Sequence, residues 1–143
     1  MLQPLTRIVE FTVGNGGFSH VCPAVLRYDR DQPWTVQAVF PARVSENGCA
    51  EVRWIFGREL LAEGLAQPAG IGDVRVCPVG EDRVLIRLDV RGQTAELRCS
   101  RAALAGFLAD TFALVPAGAE NGSVDWDALA ASWAAGRVAG EEP

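Results

Sequence analysis

His20 is the only histidine of the chain, and Ser19 and Cys22 stand beside it. A base next to a hydroxyl and a thiol is the raw material of nucleophilic catalysis. That chemistry needs the base within hydrogen-bond reach of the nucleophile and a third group to orient it. Side chains one or two residues apart in a strand or loop seldom meet that way, so the spacing argues for a loop or surface histidine. The four cysteines, Cys22, Cys49, Cys77 and Cys99, are widely separated and form no C-x-x-C. Zinc sites draw on closely spaced ligand pairs. Reduced thiols packed as small apolar side chains are the expectation. Gly70-Ile71-Gly72 opens like a dinucleotide-binding fingerprint, but Arg75 stands at the third glycine position and a strand follows. Gly14-Asn15-Gly16-Gly17 lacks the Gly-Lys-Ser/Thr of a phosphate loop. The carboxylate pairs Asp29/Asp31 and Asp125/Asp127 fall in a turn and at a helix start, where capping and solvation account for them. No catalytic, cofactor-binding or metal site is expected, and the chain reads as a non-enzyme.

Composition narrows the partners. The net charge is −5, from 13 basic and 18 acidic residues, and every one of those basic residues is an arginine. An acidic chain disfavours non-specific contact with DNA or anionic lipid. Apolar residues make up 49% and charged residues 22%, a globular balance that excludes general disorder. No apolar run approaches the ~18–20 residues of a membrane span. The opening MLQPLTRIVEF lacks the basic and apolar regions of a secretory leader, so none is expected. Asn121-Gly122-Ser123 fits a glycosylation sequon and is expected to mark a helix N-terminus instead.

The elements that would position these residues follow from periodicity. Val9, Phe11 and Val13 alternate with Ile8, Glu10 and Thr12, which predicts a strand from Arg7 to Val13. Gly14–Gly17 reads as a turn. Further strands are predicted around Ala24–Tyr28, Trp34–Phe40 and Ala50–Phe56, with Arg30-Asp31-Gln32-Pro33 as a hairpin loop. After Gly57 the period changes. Residues 58–64 read as a helix, with Gly64 as a left-handed C-cap on which Leu65 packs back. Val74 and Val76 open a strand that Pro78 should end. Val84–Val90 and Ala95–Cys99 are two more. Ser100 can cap a helix over 101–114, with Leu104, Phe107, Leu108, Thr111 and Phe112 as its buried stripe. Trp126, Leu129, Ala130 and Trp133 predict a last helix over 126–138. Trp54, Phe56, Trp126 and Trp133 recur at strand or helix spacing and are expected in the core or an interface. Strand meanders followed by a helix, twice over, predict an α+β fold with mainly antiparallel sheet, in one domain covering residues 1–143 (strand-rich 6–57, strands again in 73–99).

Three segments together resemble a known family. The first is Leu26-Arg27-Tyr28-Asp29 with Pro33-Trp34 and Val36. The second runs from Trp54 and Phe56 through Gly57-Arg58-Glu59-Leu60-Leu61, Glu63-Gly64-Leu65, Pro68, Gly70 and Gly72-Asp73-Val74-Arg75-Val76 to Pro78. The third is Phe107-Leu108, Thr111, Leu114-Val115-Pro116, Gly118 and Glu120. On these residues the chain is similar to the SsgA-like proteins of actinobacteria, which act in sporulation-specific cell division. The resemblance implies a whirly-like architecture assembled as a homotrimer. It also implies a non-enzymatic, cytoplasmic protein at the division septum that recruits the tubulin-like GTPase FtsZ. The protein would work with an SsgA-type partner and reach the membrane only indirectly, through partners. Nucleic-acid binding does not transfer with the architecture.

Two further expectations concern surfaces. Arg58, Glu59, Asp73 and Arg75 read as exposed charges and are the candidates for a partner surface. Several strands carry apolar residues on both faces, among them Ile8 beside Val9, Val25 beside Leu26, Leu85 beside Ile86, and Ile55 between Trp54 and Phe56. A second apolar face needs cover, which predicts association of copies; the trimer number comes from the resemblance alone. The alternative function is a single-stranded nucleic-acid binder. It would need an arginine stripe with stacking aromatics, for which Arg83, Arg87, Arg91 and Arg98 are the candidates.

Overall fold

The computed structural model describes residues 3–15, 18–41, 51–90 and 92–123. Alternation of apolar and polar residues builds seven strands: β1 (Leu5–Asn15), β2 (Phe18–Tyr28), β3 (Thr35–Pro41), β4 (Glu51–Gly57), β5 (Val74–Val79), β6 (Arg83–Val90) and β7 (Gln93–Ser100). Helix α1 (Arg58–Gly64) separates β4 from β5. Helix α2 (Arg101–Leu114) and the short α3 (Glu120–Ser123) follow β7. The strands form one curled antiparallel sheet in the order β4-β3-β2-β1-β7-β6-β5. The two meanders join where β1 pairs with β7, Phe11 opposite Cys99 and Gly14 opposite Glu96. The class is α+β, as the alternation predicts. The helix expected over 126–138, with Trp126, Leu129, Ala130 and Trp133, lies outside the described residues, as do Asp125, Asp127 and Cys49.

One face of each strand feeds the core. Val9 and Phe11, Ala24, Leu26 and Tyr28, Val36, Ala38 and Phe40, Val84, Ile86 and Leu88, and Leu97 and Cys99 are all buried. Leu104, Phe107, Leu108 and Thr111 of α2 close over them, with Phe112 partly buried beside them. Ser100 caps α2 as expected, its hydroxyl accepting from the Ala103 N–H at 3.1 Å. Helix α1 touches both β4 and β5, the two outermost strands, and so spans the curled sheet from edge to edge.

Three local expectations need correction. Gly64 is not a left-handed cap: it lies within α1, and Leu65 behind it is right-handed. The glycine is required by proximity, because a Cβ there would stand 2.2 Å from Val76 Cγ1 of β5. Pro78 does not end β5, which continues to Val79. β5 is an edge strand, where the missing N–H of a proline costs no ladder bond. Finally, β2 starts at Phe18, so Ser19, His20 and Cys22 are strand residues rather than loop residues. His20 is exposed, as a surface histidine should be.

Candidate functional site

The interior is organised around one arginine. Arg58 follows the chain reversal at Gly57, and its N–H donates to the Trp34 carbonyl at 2.7 Å. Its side chain is fully buried. Nη1 donates to the carbonyls of Thr111 (3.1 Å) and Val115 (2.7 Å) at the C-terminal end of α2, where the helix dipole favours a cation. Nη2 donates to Glu120 Oε2 at 2.8 Å. The guanidinium carbon lies 4.0 Å from the Phe112 ring centroid and 5.1 Å from that of Tyr28. Glu120 is fixed in turn, its other oxygen accepting from the Gly118 N–H at 2.9 Å. A hydrogen bond from its own backbone N–H, and then the one from Arg58, hold the Glu120 carboxyl below the usual range. Tyr28 donates to the Pro33 carbonyl at 3.0 Å. Burial pushes its phenol pKa up, with Arg58 opposing.

Arg58 is therefore not an exposed charge, and the expectation that placed it on a partner surface is corrected. A charge this deep survives because a carboxylate and two carbonyls meet it. Sequence reasoning missed the pair because Glu120 lies 62 residues away. The signal was nonetheless present. Tyr28 and Trp34, Arg58, and Thr111, Val115, Gly118 and Glu120 come one group from each of the three segments that carry the family resemblance, and the structure brings all three together.

The other three candidates do lie at the surface. Glu59 is exposed on the first turn of α1, and Asp73 and Arg75 are exposed at the start of β5. The chain between α1 and β5 is held against the outer edge of β5, with Ala69 and Val76 exchanging backbone hydrogen bonds of 2.8 and 2.9 Å. Asp29 stands in the β2–β3 turn, its carboxylate accepting from the Asp31 N–H at 2.9 Å, which is the turn-making role expected of it.

Three surfaces stand out among the described residues. At the end of the sheet away from α2, Val13, His20, Cys22, Phe40, Trp54, Leu88 and Leu97 line an apolar cavity of about 540 Å³. On the outer face Ile8, Val25 and Val39 stand in register across three adjacent strands. Ile8 is 72% exposed, and Val21 further along β2 is 59% exposed. Beside β5 and β6 lies a groove of about 300 Å³ that Arg75 and Arg87 line. Arg83 and Arg87 of β6 and Arg98 of β7 share that outer face, but β5, β6 and β7 contain no aromatic residue on which bases could stack. Arg91 lies outside the described residues. Among the described residues no helix is long and apolar enough to cross a membrane.

A curled antiparallel sheet with this connectivity is shared with a class of bacterial cell-division proteins. Residues 22–120 match the family described as Streptomyces sporulation and cell division protein, SsgA. The chain belongs to this family. It is 42% identical over 114 residues to the sporulation-specific cell division protein SsgB of Kineococcus radiotolerans, covering 76% of this chain and 66% of the relative. It is 44% identical over 108 residues to SsgB of Streptomyces coelicolor, covering 73% and 76%. Among solved structures, an SsgA-like sporulation-specific cell division protein from Thermobifida fusca superposes with a TM-score of 0.76 at 33% identity, over 92% of this chain and 96% of that one. A second, from work on SsgB mutations that correlate to longitudinal cell division during sporulation of Streptomyces coelicolor, gives 0.72 at 34% identity, over 85% and 95%.

Proposed function

We propose that the chain is a non-enzymatic division protein that recruits or positions the FtsZ ring at sporulation septa. The observation that carries this reading is the family match over residues 22–120, with relatives named as sporulation-specific cell division proteins. The protein acts as a single SsgA-like domain in the cytoplasm at the septum. It works with an SsgA-type partner and meets the membrane only through partners. It associates as a homotrimer. The apolar row of exposed Ile8 and half-buried Val25 and Val39 supports association, because such a face gains from being covered. A cyclic assembly would present several copies of one weak FtsZ-binding surface to a polymer and raise avidity without new contacts. Glu59, Asp73 and Arg75 are the remaining charged candidates for that surface.

Co-sedimentation with polymerised FtsZ tests the reading. The chain should pellet with FtsZ polymers and stay in the supernatant without them; failure to pellet at micromolar concentrations of both proteins removes FtsZ as the partner. Light scattering tests the assembly: a species three times the monomer mass is expected, and a clean monomer refutes it.

A further inference from the structure

The groove beside β5 combines three features that the recruiting role does not by itself explain. Its floor and walls are Pro68, Ala69, Gly70, Val76, Cys77 and Leu85, and the charged side chains that line it are both cationic, Arg75 and Arg87. These two arginines stand directly opposite each other in the β5/β6 register. Like charges so placed destabilise a sheet. Among the described residues neither has an ion-pair or hydrogen-bond partner. The nearest carboxylates are engaged elsewhere: Asp89, two residues along β6, accepts from the Thr94 hydroxyl at 2.6 Å, and Glu96 of β7, opposite Arg87, pairs with Arg98 at 3.2 Å. Asp73 is exposed and does not line the groove.

Ile71, which follows the groove-lining Gly70 in the chain, is 98% exposed. Its position is built rather than incidental. Gly70 and Gly72 on either side both have positive φ, 103° and 92°. A Cβ on Gly70 would lie 2.4 Å from the Val74 carbonyl oxygen, so the loop can sit this close to β5 only with glycine there. A fully solvated isoleucine, one residue on from a glycine that lines the groove with the two arginines, is an apolar anchor available beside a cationic slot.

We propose that this groove is the docking site for an acidic segment of a partner protein, with carboxylates between Arg75 and Arg87 and an apolar side chain against Ile71. Arginine forks recognise carboxylates in a fixed geometry. A nucleic acid fits less well, because the chain is acidic overall and these strands offer no stacking surface. The proposal rests on the reading of the chain as a recruiting protein and names the chemistry that its partner must present.

The test uses the full chain and a short fluorescein-labelled peptide of glutamates around one leucine, with a glutamine counterpart as control. Fluorescence anisotropy should show binding of the acidic peptide that weakens as salt rises, and binding of the control about tenfold weaker. The double variant Arg75→Gln, Arg87→Gln should lose about tenfold, and Ile71→Ser several-fold, with no loss of stability: all three side chains are exposed, and the double variant removes a like-charge pair and should unfold no earlier than wild type. Bound peptide should also slow maleimide labelling of Cys77, which lines the groove, and leave Cys22, which lines the far cavity, unaffected. The site is overturned by a double variant that binds like wild type, by a control that binds equally, or by a single-stranded oligonucleotide that displaces the peptide. Pelleting with FtsZ, run alongside, separates the two readings. If wild type binds the peptide but not FtsZ, FtsZ is removed and the site stands; if the double variant still pellets with FtsZ as wild type does, the groove is not where that partner docks.

Discussion

Replacing Arg58 by methionine is the sharpest test of the interior described above. Methionine keeps much of the apolar length of the side chain, so the change isolates the guanidinium. The variant loses the hydrogen bonds to the Thr111 and Val115 carbonyls and to Glu120, together with the stacking on Phe112 at 4.0 Å. Removing one partner from a buried, hydrogen-bonded charge pair costs about 3–5 kcal/mol, because what it leaves behind is desolvated and unpaired. For a chain of this size one kcal/mol corresponds to about 3 °C in Tm, so melting should fall by about 10–15 °C. Circular dichroism on heating, with urea titration for the free energy, measures it. Arg58→Lys should recover only part of the loss, since one ammonium cannot serve three acceptors in the guanidinium's geometry. A methionine variant within about 1 kcal/mol of wild type would refute the reasoning, because surface substitutions fall in that range. A variant of full stability that no longer pelleted with FtsZ would go further and return Arg58 to the role of a partner contact.

Three other outcomes follow from the same geometry. The Glu120 carboxyl is held below its ordinary value of 4.5, so its contribution is complete above that pH and is lost as pH falls through the folded-state value; Glu120→Gln should melt lower at neutral pH with a shallower acid decline, and an unchanged acid decline would contradict the assignment. Burial pushes the Cys99 thiol up to about 11, so alkylation followed by peptide mass mapping at pH 8 should modify the part-exposed Cys22 and Cys77 and spare Cys99 until the protein unfolds. Gly64→Ala sets a gain of about 1 kcal/mol in helix propensity against overpacking of about 1–3 kcal/mol from a Cβ 2.2 Å from Val76. Net destabilisation is expected, with Val76→Ala restoring part of it in the double variant; a more stable Gly64→Ala protein would mean that α1 does not sit against β5.

How much of this was legible depended on whether a side chain's environment is set by its neighbours in sequence. β3 and β6 were legible because one face is buried and the other is not, so Val36, Ala38 and Phe40, or Val84, Ile86 and Leu88, alternate visibly with their neighbours. The first half of β2 was not. Its inward side chains, His20 and Cys22, face the end of the sheet away from α2, where neither α1 nor α2 covers them and no apolar alternation is required. Gly64 followed a local rule, glycine after a helical run, while its cause was a strand ten residues further on. Arg58 followed another, that charges stay outside, which fails when a partner exists at long range. Of the proposed groove, Arg75 and the two glycines could be read from the sequence. Arg87 could not be joined to them, because only the β5/β6 register puts it opposite Arg75.

The convergence of the three motif segments on Arg58 changes what family membership says about recognition. Tyr28, Arg58, Thr111 and Glu120 are buried, with Arg58 bonded to the Thr111 carbonyl and to Glu120 and its guanidinium over the Tyr28 ring, so they hold the fold together and are not free to touch a partner. Among the described residues, the side chains that this interior leaves outside for a partner include Glu59 and Asp73, the apolar row on the outer face, the cavity at the end of the sheet away from α2, and the loop that carries Ile71 with Arg75 and Arg87. Of these, the loop is positioned directly by the same interior. It leaves α1, whose start Arg58 anchors and whose end is fixed where Arg101 donates to the Leu65 carbonyl at 2.8 Å, and it is then pinned to β5 at Ala69. A change at Arg58 should therefore weaken peptide binding in the groove through loss of order in that loop, at temperatures where the rest of the sheet is still folded.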